Sequence, residues 1–168
     1  FFKNKKVLEI GCGAGLAGIV AASYASKVYM CDFNLKIIEN VNHNIKLNSK
    51  KAHSNNKKQY NCCCINDDKQ VKGVAFDWET VDFSIYKKDG LIKESMDIIL
   101  GADVICQESD CYNIARVLKH YLTKDTGVAY FLHGTEKHRF GVEKFAKAMQ
   151  SEGFNVVNMD DVINKNGE

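Results

Sequence analysis

The sequence predicts an α/β fold built on a doubly wound, mostly parallel sheet. Three observations carry that expectation. Short apolar runs alternate along the chain with longer amphipathic segments, the order that yields βαβ units. A glycine-rich turn joins the first apolar run to an alanine-rich segment, as in a ligand-binding loop between strand and helix. Acidic residues close three of the apolar runs, at Asp32, Asp77 and Asp103, and the carboxyl ends of parallel strands are where such sheets bind ligands.

The elements follow in order. "KVLEI" (6–10) reads as a buried strand. "LAGIVAASYA" (16–25), rich in small apolar residues, reads as a helix packed on the sheet. "KVYMCD" (27–32) is a second strand. In 34–49, Leu35, Ile38, Val41, Ile45 and Leu47 fall near helical spacing, and Asn34 suits the cap. Residues 50–61 are polar and low in complexity, which predicts a flexible insertion. "VKGVAF" (71–76) is a third strand. "MDIILGADVI" (96–105), the most apolar run, is a central one. The helix predicted over 110–123 places Tyr112, Ala115, Leu118 and Leu122 on one face. A strand over 127–133, a helix over 142–153 stopped by Gly153, and a last strand over 154–159 complete the pattern.

Bulk composition bounds the function. The 168 residues suffice for one domain with a real core. Net charge is +2, which gives no strong nucleic-acid signal. The distribution is uneven: residues 1–70 carry 11 lysines against 5 acids, and 71–168 carry 12 basic against 16 acidic residues. A basic half can serve nucleic acid, but a solvated lysine-rich surface accounts for it. No apolar run is long enough to span a membrane. The seven cysteines, an odd count without a C-x-x-C, fit a reducing compartment: the cytoplasm, or alternatively the nucleus. "CCC" at 62–64 reads as a buried strand rather than a metal site, because adjacent thiolates on an extended strand cannot all face one ion. No metal is expected.

"LEIGCGAGLAG" (8–18) holds two overlapping patterns. From Gly13 it is G-x-G-x-x-G, the dinucleotide fingerprint. From Glu9 it is E-x-G-x-G-x-G, which suggests S-adenosylmethionine. Asp32 lies 19 residues past Gly13, and its carboxylate can accept from both ribose hydroxyls in either case. Asp77 and Trp78 offer an acceptor and a flat indole for an adenine edge and face, with a core Trp and a capping Asp as the alternative. Asp103 is an acid well inside the most apolar segment, so it meets a solvated cleft or a donor. Two considerations favour the second register. The chain has little room for a nicotinamide site, and Glu9 has no role in the dinucleotide fingerprint.

In this order, "VLEIGCGAGLAGIVAA", "CDFN", "FDWET" and "DIILGADVICQES" resemble the family-16 seven-strand methyltransferases over roughly residues 5–155. The resemblance implies a Rossmann-like seven-strand fold. It implies one S-adenosylmethionine-binding domain over residues 1–168, incomplete at both ends and lacking its last strand. It also implies transfer to a lysine of a protein substrate, with S-adenosylhomocysteine as product, by a monomer. Glu9, Gly11, Gly13 and Gly15 would cradle the methionine part and ribose. Asp32, with Phe33 beside it, would hold the ribose hydroxyls. Asp77 and Trp78 would lie by the adenine, and Ala102 against the cofactor. Asp103 would face the target nitrogen. Cys106 stands where the family usually has Tyr or Phe, and a thiol does not attract an ammonium as a ring does. Tyr112 and Phe33 are the aromatics that could replace it. Methylation of a small molecule or of another side chain, and a non-catalytic cofactor- or partner-binding module, are the alternative readings.

Overall fold

The structure is a computed structural model that describes residues 1–49, 65, 70–134 and 140–158. Its five strands are β1 (Lys6–Ile10), β2 (Lys27–Asp32), β3 (Val71–Ala75), β4 (Ile98–Ala102) and β5 (Val128–Leu132). They form one sheet in the order β3-β2-β1-β4-β5, and every neighbouring pair is parallel. The helices are α1 (Leu16–Ala22), α2 (Leu35–Leu47), α3 (Glu108–Tyr121) and α4 (Val142–Ser151), with a 3₁₀ segment over Phe83–Asp89.

Strand alternation divides the core between the two faces of the sheet. Val7, Val28, Met30 and Ile98 face Ala21 and Ala22 of α1 and Ile38, Val41 and Ile45 of α2. Leu8, Ile10, Tyr29, Cys31 and Ile99 face Cys111, Ile114 and Leu118 of α3, Ala148 and Met149 of α4, and Phe83 and Tyr86 of the 3₁₀ segment. Successive side chains of a strand point to opposite faces. Burial on both faces explains why these strands read as continuous apolar runs.

Several boundaries move. The first helix ends at Ala22, because Ser23 and Tyr24 turn on bonds to Val20 and Ala21 three residues back. The central strand ends at Ala102, since Asp103 adopts φ +56° and breaks the extended run. Val104 and Ile105 stay buried without being strand. In α2, Leu35 and Leu47 are exposed and the buried stripe is Ile38, Val41 and Ile45. In α3, Tyr112 is exposed, while Cys111, Ile114 and Tyr121 carry the buried face.

The strand expected over 154–159 is not formed over its described part, 154–158. Phe154 and Val156 lean on the core and Val157 is exposed. Apolar residues that reach the core do not by themselves make a strand, which also needs a neighbouring ladder. The insertion over 50–61 and the "CCC" strand lie outside the described residues.

Candidate active site

The glycine loop follows from where β1 ends. Gly11, Gly13 and Gly15 have φ of +58°, +52° and +79°, a left-handed backbone that glycine adopts without steric cost. A Cβ on Gly11 would come 2.6 Å from Val104 Cγ1, so the loop packs tightly against the chain just after β4. A Cβ on Gly13 would meet nothing within 4 Å, so the loop's tip borders open space. The loop is held from several sides. The Cys12 amide donates to the Cys31 carbonyl at 2.9 Å and the Gly15 amide to the Cys12 carbonyl at 2.8 Å. Asn44 of α2 donates through Nδ2 to the Ala14 carbonyl at 3.0 Å.

Glu9 is buried beneath this loop and accepts a hydrogen bond from the Gly18 amide at 2.9 Å. Gly15, at the N-cap of α1, has no side chain to serve the helix's first amides. The carboxylate on β1 takes that role from below. Burial pushes the Glu9 carboxyl up to about 7, against the lowering effect of the Gly18 bond. Gly18 is a packing glycine, because a Cβ there would lie 2.4 Å from Met30 Cγ and 2.5 Å from Glu9 Oε2. Both overlapping glycine patterns are thus occupied: the alternate glycines make the turn, and Gly18 lets the helix approach the strands.

Asp32 closes β2 and is buried. Its Oδ2 accepts from the Gly13 amide at 3.4 Å and its Oδ1 from the Asn34 amide at 3.0 Å. It therefore links the glycine loop to the start of α2. Phe33, beside it, is exposed. Asp77 is exposed, and its Oδ1 accepts from the Glu79 amide at 2.8 Å, a local turn cap. Its own amide donates to the Tyr86 hydroxyl oxygen at 2.9 Å. Trp78 is half-buried against the core, with its indole 3.6 Å from where a Cβ on Gly11 would stand. The ends of β1, β3 and β4 thus converge on Gly11, Trp78 and Val104.

Asp103 and Ala102 are both exposed at the end of β4. Asp103 is one of four non-glycine residues with positive φ among the described residues, and Asp tolerates that region better than most side chains. Cys106 is exposed in the loop after β4. That loop is fixed by a residue the motifs did not single out. Buried Asp110 of α3 accepts through Oδ2 from the amides of Cys106 at 2.8 Å and Gln107 at 2.9 Å. The Gln107 side chain answers as a capping box. A polar residue with an acid three positions on is the readable signal. Among the described residues no cluster of three or more His, Cys, Asp or Glu is placed to hold a metal ion.

A doubly wound α/β domain with a glycine loop, a carboxylate after β2 and an acid after β4 is of the class that binds a nucleotide-type cofactor at its switch point. The model of the lysine methyltransferase family matches residues 2–152; the chain belongs to this family. It is 27% identical over 159 residues to a calmodulin-lysine N-methyltransferase of Arabidopsis thaliana, covering 93% of this chain and 45% of that protein. It is 23% identical over 156 residues to a protein-lysine N-methyltransferase of Chaetomium thermophilum, covering 92% and 42%. It is 30% identical over 140 residues to a histidine protein methyltransferase 1 homolog of Dictyostelium discoideum, covering 83% and 37%. The chain spans less than half the length of these relatives. In fold it resembles a TehB-like SAM-dependent methyltransferase of Corynebacterium glutamicum, with TM-score 0.64, 16% identity and coverage of 93% of this chain and 68% of that one. It likewise resembles a SAM dependent methyltransferase of Aquifex aeolicus, with TM-score 0.61, 13% identity and coverage of 93% and 75%.

Proposed function

We propose that this chain carries the S-adenosylmethionine site and the transfer site of a protein-lysine methyltransferase. The observation that carries the reading is that the glycine loop, Asp32, Trp78 and Asp103 follow the carboxyl ends of β1, β2, β3 and β4, with the loop bonded to Asp32 and packed by Trp78 and Val104. The residues present fit the cofactor. Gly13 borders open space where a ligand can approach the backbone. Asp32 retains acceptor capacity beyond its two amide bonds, since a carboxylate offers about four lone-pair sites. Phe33 and Trp78 supply flat apolar surface for an adenine. Asp77 accepts a hydrogen bond within its own turn, and its part is the acceptor edge beside Trp78. Glu9, Gly11, Gly15 and Ala102 shape the floor of the site.

When bound, the cofactor supplies a methyl group activated on a sulfonium. The chain's own residues then have two tasks: to align the nucleophile and to exclude water. The Asp103 carboxylate attracts the substrate ammonium, orients it and passes its proton to water. Cys106 lies in the same loop, where its small side chain leaves the target entry wider than an aromatic would. The absence there of a ring that attracts ammonium favours a second reading, a cofactor-binding module without transfer.

Buried Cys12, Cys31 and Cys111 suit a reducing compartment, here the cytoplasm. Among the described residues no helix is long and apolar enough to cross a membrane.

Labelled S-adenosylmethionine incubated with the protein and a whole-cell extract tests the proposal. A discrete labelled protein band, with label on lysine after hydrolysis, is the expected result. Asp103→Ala should abolish labelling with cofactor affinity within a few-fold, and Cys106→Tyr should preserve or raise it. Cofactor binding without any labelled product would select the second reading.

A further inference from the structure

His133 follows the last residue of β5, alongside the end of β4. Ala102 pairs with Leu132, and the Asp103 amide donates to the Leu132 carbonyl at 2.8 Å. The imidazole is packed between two rings. It stacks on Phe131 with centroids 5.7 Å apart and planes at 17°, and it meets Phe145 of α4 edge-on at 4.7 Å. Both ring nitrogens are buried, and neither has a hydrogen-bond partner among the described residues. A neutral imidazole has one N–H donor and one acceptor, and leaving them buried and unmade is costly.

Burial lowers the proton affinity of His133 from its ordinary value, and among the described residues the charge of Asp103 acts against that effect. Across the strand pair, Asp103 itself holds a left-handed backbone at an exposed position. Strained conformations of this kind persist where the surroundings enforce them, and they cluster at functional sites. A buried imidazole with no hydrogen-bond partner among the described residues therefore stands beside an exposed, backbone-constrained carboxylate.

We propose that His133 is a positioning residue for Asp103. Its ring N–H donates to one oxygen of the Asp103 carboxylate once that exposed side chain rotates toward it, leaving the other oxygen for the target nitrogen. The bond satisfies the buried ring and turns the carboxylate over the sheet's carboxyl end. No proton leaves either group in this step. Packing by Phe131 and Phe145 fixes the ring plane, so the direction of the donor is set before the substrate arrives. The role rests on the reading of Asp103 given under Proposed function, but the pairing itself does not.

Two measurements separate the pairing from that reading. The first is an NMR pH titration of the imidazole nitrogens, with His133→Phe identifying the His133 signals among the five histidines. Replacing the carboxylate by Asp103→Asn should move the His133 titration to lower pH. An unchanged midpoint would overturn the pairing, whether or not the protein transfers methyl groups. The second uses the labelled-protein assay. His133→Phe keeps a ring in the aromatic packing and removes both nitrogens. It should lower transfer at least tenfold, with S-adenosylhomocysteine affinity within two-fold. His133→Gln restores an N–H donor and should recover part of the loss. Equal loss in both variants, or full activity in His133→Phe, would overturn the positioning role.

Discussion

At the scale of single residues, Glu9 shows how one side chain supports the fold beneath the proposed site. The strand alternation that buries Val7 sends Glu9 to the same face, under the amide of Gly18. Burial raises its carboxyl from an ordinary 4.5 to about 7. A group whose proton affinity is higher in the fold contributes stability that is complete below its unfolded value and lost as pH rises through the folded one. Between about pH 4.5 and 7, Glu9 should therefore destabilise the protein progressively. At about 1.4 kcal/mol per tenfold change in proton affinity, the loss is on the order of 3 kcal/mol. Glu9→Gln keeps a carbonyl acceptor for Gly18 and removes the titration. Urea unfolding across that pH range should show a flatter stability profile for the variant. Parallel profiles would mean that Glu9 is ionised in the fold.

At the scale of elements, α3 displays what was legible in the sequence and what was not. Its apolar periodicity announces a helix, but the start lies at Glu108, two residues before the expected Asp110, because Gln107 and Asp110 form the cap. A cap is a geometric relation between a side chain and backbone amides, and apolar spacing carries no trace of it. Asp110→Ala removes the acceptor shared by the Cys106 and Gln107 amides, and the expected cost is about 1–2 kcal/mol. Urea midpoints should record that loss, with Asp110→Asn losing less because it keeps one acceptor oxygen. β1 and β2 match the expected spans, since burial on both faces leaves an unbroken apolar run. β4 is shorter than its run because the left-handed Asp103 ends it, and hydropathy does not report φ. Gly11, Gly13 and Gly15 were readable because the turn demands their backbone. The burial of the His133 ring was not, since it depends on where β4, β5 and α4 meet.

At the scale of the whole molecule, the strand order locates the proposed site. From central β1 the chain moves out through β2 to β3, then returns to the other side of β1 for β4 and β5. The connections on either side of β1 diverge, and a crevice opens beyond the carboxyl ends of β1 and β4. The glycine loop, Asp32 and Trp78 border it, and each belongs to a different strand connection. A ligand held there ties both halves of the sheet together, so binding should be read out by global unfolding. At a hundredfold excess over its Kd, a ligand specific for the native state adds about 2.7 kcal/mol. For a chain of this size that corresponds to a Tm increase of roughly 5–10 °C. S-adenosylhomocysteine should produce a shift of that order in a thermal melt, and NAD at the same concentration should produce none. Asp32→Ala should fold and reduce the shift, since its carboxylate sits at a strand end rather than within either apolar layer. Stabilisation by NAD alone would reverse the choice between the two glycine registers and make the crevice a dinucleotide site.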